Sequence, residues 1–285
     1  MPTSPSLFPS PSPFPTLDSV LGLLRCPVCR VPSLRRERSA LRCPAGHAFD
    51  IARHGYAGLL TGARATSGDD AAMVRARERF LAGGRYAPVR DAVAGLAVDG
   101  GSPGTGGAVL DAGCGTGYYL AGALDRLPAA RGLGLDSSVR ALRTAARAHE
   151  RAAAAAWDVF RPFPLADQVA DVVLDVFAPR NPAEFHRVLR PGGRLIVARP
   201  TGRHLAELRA PVAVDPAKEE RLRRVMEPFF TATVTERVEY VLSLPPADAR
   251  DLLDMTPTAR HPGPAETVLP RRVTVSVLAT AYRPR

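Results

Sequence analysis

Three of the chain's four cysteines and one of its histidines stand at the spacing Cys26-x2-Cys29-x13-Cys43-x3-His47. Two thiolates on one tight knuckle, and a thiolate with an imidazole on a second, close a tetrahedral zinc shell with no open coordination position. Such an ion holds structure and does no catalysis. The plainer readings are free thiols on a loop or, with no export signal to support it, a disulfide. A second, unrelated signature follows in Val109-Leu-Asp-Ala-Gly-Cys-Gly-Thr-Gly117. Gly113, Gly115 and Gly117 remove side chains where a backbone must turn from strand into helix and approach a ligand closely. The fourth cysteine, Cys114, lies inside this loop and reads as a small neighbour of that ligand, not as a metal donor.

A glycine-spaced loop alone fits a dinucleotide as well as other nucleotide cofactors. Two carboxylates and two tyrosines narrow the choice. Asp111 stands just before the turn, where it suits an ammonium-bearing ligand, and Asp136 closes the next expected strand, where a carboxylate accepts ribose hydroxyls. Tyr118 and Tyr119 follow Gly117 where a pyrophosphate site would more often keep another glycine. The combination favours S-adenosylmethionine, which has no phosphate to cradle.

These residues need a scaffold. At 285 residues and 46% hydrophobic content, the chain can build one sizeable core and a small appended one. From residue 108 onward strand-like and helix-like patterns alternate, as in a parallel sheet covered by helices on both faces. Strands are expected at 108–110, 132–136, 152–157, 169–178, 233–244 and 273–282, and at 194–199 after a Pro191-Gly192-Gly193 turn. The alanine run of the third reads equally well as helix. The last two strands fit an antiparallel pair at one edge. Ahead of the sheet, Ser67 and acidic residues open a helix over 69–81 that Gly83-Gly84 ends, and a second helix runs over 86–96 with Pro88 in its first turn. Segment 54–60 reads as an apolar stretch that docks the metal module. The expected organisation is a disordered Ser/Pro-rich leader (1–20), a zinc-binding module (21–64), a helical segment and Gly/Pro-rich linker (65–107), and the main domain (108–285).

The net charge of +10 is unevenly placed. Between residues 21 and 64, Arg25, Arg30, Arg35, Arg36, Arg38, Arg42, Arg53 and Arg64 face only Glu37 and Asp50, so more than half the surplus sits on the zinc module. Guanidinium forks grip phosphates bidentately, which makes nucleic acid the expected partner of that module. The bland alternative is an arginine-rich composition that biases every surface. No apolar run is long enough to span a bilayer, and the leader has no basic n-region, so no membrane partner and a cytoplasmic location are expected.

Read together, several motifs carry a resemblance. The Asp111-Ala-Gly-Cys-Gly-Thr-Gly117 loop, Gly134-Leu-Asp-Ser-Ser138 and Leu189-Arg-Pro-Gly-Gly-Arg-Leu195 resemble the class I methyltransferases. Adding the zinc ribbon, Gly55-Tyr-Ala-Gly-Leu-Leu60, Val176-Phe-Ala-Pro-Arg-Asn181 and Arg203-His204-Leu205, nearly the whole chain after the leader resembles the RlmA family of 23S rRNA guanine-N1 methyltransferases. Met255-Thr-Pro-Thr-Ala-Arg-His261 is similar to the Gram-positive branch associated with tylosin-type macrolide resistance. The resemblance implies an α/β fold: a Rossmann-like seven-stranded sheet behind an N-terminal zinc ribbon. It implies S-adenosylmethionine and structural Zn2+ as cofactors, a hairpin of 23S rRNA domain II with guanine 748 as target, and a homodimer.

The site residues implied by the resemblance match motif by motif. Cys26, Cys29, Cys43 and His47 hold the zinc; Gly115 and Thr116 lie nearest the cofactor; Tyr86 and His204 contact it. Without the resemblance, Tyr86 is a helix-start aromatic and His204 a satisfied core or capping histidine. Gly113, Gly117, Asp111 and Asp136 complete the cofactor set, with Asp158 a candidate for the adenine edge. Guanine N1 sits on the Watson–Crick edge, so its base must be unpaired and splayed into the pocket, as a hairpin loop allows. Arg180 and Asn181, after the fourth expected strand, are candidates for holding the purine; the plain alternative is a loop in which Asn181 caps a helix before Pro182. No residue reads as the base that takes the N1 proton. A small-molecule methyltransferase, and a non-catalytic rRNA-binding protein with a methyltransferase-like domain, remain the competing readings. A lipid or quinone methyltransferase is disfavoured, since no amphipathic membrane-binding helix stands out.

Overall fold

The computed structural model describes residues 14–62, 69–98, 106–208, 217–256 and 270–285. Residues 1–13 of the expected leader, Ser67, Arg64 and most of the expected 99–107 linker lie outside them. The expected disorder to residue 20 does not hold where the chain is described: Pro15–Val20 form a helix (α1). Leu17 and Val20, three apart and therefore on one face, are fully buried in the main core. The Arg131 guanidinium secures α1 by donating to the Ser19 carbonyl (2.8 Å). The Ser/Pro composition around α1 masks this single apolar face.

Arg35–Glu37 (β1), Ala40–Arg42 (β2) and Ala48–Asp50 (β3) form a three-stranded antiparallel sheet. Leu34, Leu41, Phe49 and Ile51 fill it and run on into Phe163, Leu165 and the core beneath the main sheet. The 54–60 segment docks it as expected. Ala57 donates to the Ala154 carbonyl (3.0 Å) and accepts from the Ala156 amide (2.8 Å), and Leu59 is fully buried. The ribbon therefore closes one edge of the main sheet and shares its apolar core.

Two helices follow, Ala71–Ala82 (α2) and Ala87–Val98 (α3). Asp70 caps α2 by accepting from the amides of Ala72 (2.7 Å) and Met73 (2.9 Å). The main domain then runs Ala108–Ala112 (β4), Tyr118–Arg126 (α4), Arg131–Asp136 (β5), Val139–Ala145 (α5), Ala152–Ala156 (β6), Ala170–Val176 (β7) and Pro182–Val188 (α6). It ends with Leu189–Pro200 (β8), Ala217–Met226 (α7), Phe230–Ser243 (β9), Pro246–Asp254 (α8) and Arg272–Pro284 (β10). The sheet order is β6-β5-β4-β7-β8-β10-β9, parallel from β6 to β8 and antiparallel at the β10 and β9 edge. This is the expected doubly wound sheet with its antiparallel pair.

The alanine run is strand, paired residue by residue with β5. Five alanines favour helix locally, but a segment that short gains little from helix formation, and pairing beside β5 decides. Pro191-Gly192-Gly193 differs from the expected turn. It is a bulge inside β8, flanked by the pairs Ala170 with Leu189 and Val172 with Arg194, and Gly192 supplies the left-handed residue (φ +80°). The chain winds outward from β4 through β5 to β6, then returns to β7 on the other side. The crevice beyond the carboxyl ends of β4 and β7 is thus the topological switch point, where open α/β sheets bind ligands.

Candidate active site and metal centre

The ligand atoms of Cys26, Cys29, Cys43 and His47 all lie within 4.8 Å of one another. Cys29 Sγ is 3.8 Å from Cys43 Sγ, and His47 Nδ1 is 3.3 Å from Cys43 Sγ and 3.6 Å from Cys26 Sγ. Zn–S bonds of about 2.3 Å in a tetrahedron imply S···S edges of about 3.8 Å and slightly shorter S···N edges, so the donor set fits zinc through all four residues. Left-handed residues shape both knuckles: Arg30 (φ +61°) after the first pair and Gly46 (φ +86°) within the second.

At the switch point opens a cleft of about 880 Å3, in the range of small-molecule sites. Gly113, Gly115 and Thr116 from the loop after β4 line it, together with Asp136 and Asp158 at the ends of β5 and β6, and Tyr86, Arg180 and His204. The loop turns through three left-handed glycines. Gly113 is required twice over, since a side chain there would bring its Cβ to 2.6 Å from Ala178 Cβ. Gly117 differs from its expected role: it does not line the cleft, and its missing side chain makes room for Ala145 and Ala148 of the neighbouring helix and turn. Asp111 stands behind the loop, not on the cleft wall. It is buried, its Oδ2 has no hydrogen-bond partner, and burial, then Asp136 and Asp175, push its carboxyl up to about 8. An orphaned acidic oxygen behind a left-handed loop fits a cationic ligand, which supplies the missing counter-charge.

Asp136 accepts from the amides of Gly115 (2.8 Å) and Ser138 (2.7 Å), leaving each oxygen one lone pair on the cleft side for ribose hydroxyls. Asp158 also reaches the cleft, while its Oδ1 accepts from the Phe160 amide (3.0 Å) and fixes the following turn. Tyr86 and His204 come together at the back, with Tyr86 Oη 3.4 Å from His204 Nε2. The Ser276 amide donates to His204 Nδ1 (3.2 Å), so a neutral His204 carries its proton on Nε2 and points it at Tyr86. Burial first, then Tyr240, holds the Tyr86 phenol well above its usual range, and it stays protonated.

The two purine candidates separate. Asn181 occupies the N-cap position of α6, as the plain alternative has it, but its side chain does not cap; its amide donates to the Val159 carbonyl (2.9 Å), and it does not line the cleft. Arg180 does line it. Its Nε lies 4.0 Å from Asp175 Oδ2 and makes no hydrogen bond. Asp175 was not singled out from sequence, although an acid inside the apolar run Val172-Val-Leu-Asp-Val176 is a readable signal. It is fully buried, both oxygens lack a hydrogen-bond partner, and burial, opposed by Arg180, pushes its carboxyl up to about 8. Sequence reasoning also missed Asp69 and Arg77, which pair at the cleft mouth, and Met255, whose carbonyl accepts from Arg77 (3.2 Å). The Met255 contact depends on the docking of α8 against α2, which no local pattern records.

The geometry is that of a nucleotide-cofactor cleft with a zinc ribbon on its sheet edge, and the chain's relatives fit both halves. Residues 24–64 match the family model described as RlmA, N-terminal, and residues 109–193 match a methyltransferase domain model. A Streptomyces fradiae protein named 23S rRNA (guanine(748)-N(1))-methyltransferase is 42% identical, over 93% of this chain and 98% of its own. The chain belongs to the RlmA family. A Micromonospora griseorubida protein named for 23S rRNA guanine-N1 methylation is 44% identical over 93% of this chain and 98% of its own, and Bacillus subtilis YxjB, named likewise, is 35% identical over 84% and 87%. As an RlmA-family enzyme, the protein is a methyltransferase that uses S-adenosylmethionine and carries a structural zinc. Among the described residues no helix is long and apolar enough to cross a membrane.

Proposed function

We propose that this enzyme methylates N1 of a guanine in a hairpin loop of 23S rRNA domain II, the equivalent of guanine 748, acts as a homodimer, and protects the ribosome against tylosin-type macrolides. The observation that carries the reading is the joint between ribbon and cleft. Arg30, beside the zinc knuckle, donates to the Pro162 carbonyl (3.4 Å), and Arg161 donates to the Thr61 carbonyl (3.0 Å). The loop that makes those contacts carries Asp158 and Phe160, just before them, on the cleft rim. An RNA bound on the ribbon therefore reaches the cleft directly. Arg30, Arg35, Arg38 and Arg53 are exposed and have no carboxylate partner among the described residues, so they remain available to phosphates. A small-molecule methyltransferase has no use for such a surface beside its cleft.

S-adenosylmethionine, when bound, supplies an electrophilic sulfonium methyl. The chain's own residues hold and orient. Asp136 takes the ribose hydroxyls, Asp158 faces the adenine edge, and Gly113, Gly115 and Thr116 admit the cofactor backbone. Asp111, behind the loop, balances its positive charge. Tyr86, protonated, and His204, held by the Ser276 amide, form the polar back wall against which the cofactor rests. Arg180 faces the O6 and N7 acceptors of guanine. Catalysis then rests on holding N1 in line with the methyl group. The test is transfer of labelled methyl to a transcript of the domain II hairpin, followed by nuclease digestion. The expected product is 1-methylguanosine at one loop position; label in another nucleoside, or none in RNA, overturns the reading.

A further inference from the structure

Among the described residues only two aromatic side chains are exposed, Phe160 (70%) and Phe177 (38%), and both line the cleft. Apolar rings are left in water at a cost, so two on one cavity mark a ligand surface. Phe177 is the more constrained. It follows β7 with φ +54°, a left-handed conformation that is strained for a bulky side chain, while its amide donates to the Ala198 carbonyl (3.0 Å). The strain turns the ring out of the sheet and onto His204, with centroids 5.8 Å apart and planes 23° from parallel. Tyr119 (6.1 Å) and Tyr86 (6.4 Å) brace it. The next residue, Ala178, abuts Gly113, so the ring stands beside the cofactor loop. Three residues on, Arg180 lines the same cleft, its buried Nε 4.0 Å from Asp175 Oδ2.

We propose that Phe177 is the platform on which the extruded target guanine stacks, with Phe160 on the opposite rim receiving a flanking nucleotide of the loop. The inference rests on the rRNA reading above. An aromatic face holds any base by stacking, and Arg180 on the same loop adds the preference for guanine.

A cycle between protein and RNA tests it. Hairpins with the target guanine present or replaced by an abasic site are titrated against wild type, Phe177→Ala and Phe177→Trp in the presence of S-adenosylhomocysteine. Phe177→Ala is expected to weaken binding of the intact hairpin about ten-fold and of the abasic hairpin less than about two-fold, with Phe177→Trp close to wild type. Equal losses on both hairpins overturn the platform, as does a matching loss of S-adenosylhomocysteine affinity in Phe177→Ala. Phe160→Ala is expected to weaken both hairpins alike and to leave S-adenosylhomocysteine affinity unchanged; a loss confined to that ligand overturns its assignment to RNA. Wild-type methylation of the intact hairpin is scored in parallel samples in which S-adenosylmethionine replaces S-adenosylhomocysteine. Its absence refutes the rRNA reading and the platform with it, whereas methylation with equal losses refutes the platform alone.

Discussion

Gly115 and Gly117 look alike in sequence, and the structure separates them. Both are left-handed, at φ +53° and +83°. A Cβ on Gly115 meets nothing closer than the Arg77 guanidinium at 3.7 Å, on the cleft side, whereas one on Gly117 meets Ala148 Cβ at 2.8 Å and Ala145 Cα at 3.1 Å. Alanine in a left-handed conformation costs about 1 kcal/mol or slightly more at either place. At Gly117 overpacking against helix backbone, which cannot swing aside, adds about 1–3 kcal/mol. Gly115→Ala should therefore lower the melting temperature by about 2–4 °C and Gly117→Ala by about 5–15 °C, at roughly 2–4 °C per kcal/mol for a chain of this size. Ligand affinity should move the other way. Titration calorimetry with S-adenosylhomocysteine, at a temperature where both variants are folded, should show about a ten-fold loss for Gly115→Ala and under about three-fold for Gly117→Ala. Equal melting losses, or a larger affinity loss at Gly117, would refute the division of the loop into a ligand-facing and a packing glycine.

Three further outcomes follow from the same contacts. Asp111 and Asp175, both raised to about 8, hold protons in the folded ligand-free protein that the unfolded chain releases above the ordinary carboxylate range. Stability should therefore fall as pH rises from about 4 to 8, and Asp175→Asn should flatten that slope in urea titrations; an unchanged slope contradicts the burial argument. Cys43→Ser or a strong chelator should change the emission of the single tryptophan, Trp157, because it shares a core with the ribbon; unchanged emission with zinc lost would show the two parts to be independent. Leu17→Ala should destabilise by about 2–4 kcal/mol in urea, and a cost near zero would mean that α1 is not docked.

Much of this was legible because the informative residues are close in sequence. The zinc donors, the glycine loop and Asp136 each sit within a short motif whose spacing reflects local geometry. Strand positions followed from apolar runs long enough to cross a buried parallel sheet. The alanine strand was ambiguous because its identity is set by pairing with β5, and α1 was hidden because two buried side chains weigh little against a proline-rich stretch. Phe177 and Arg77 owe their roles to a backbone angle and a distant helix, neither of which leaves a spacing, whereas Asp175 is marked as an acid inside an apolar run. Asn181 shows the converse error: its position after β7 invited a substrate role, while its amide is taken by Val159.

Methylation of guanine N1 in a domain II hairpin loop is read out by primer extension on 23S rRNA from cells with and without this gene. A methyl group on N1 occupies the Watson–Crick edge and blocks the copying polymerase. A stop next to one loop guanine, present only with the gene, is the expected result. Identical extension through domain II in both strains would show that the enzyme leaves this loop unmethylated.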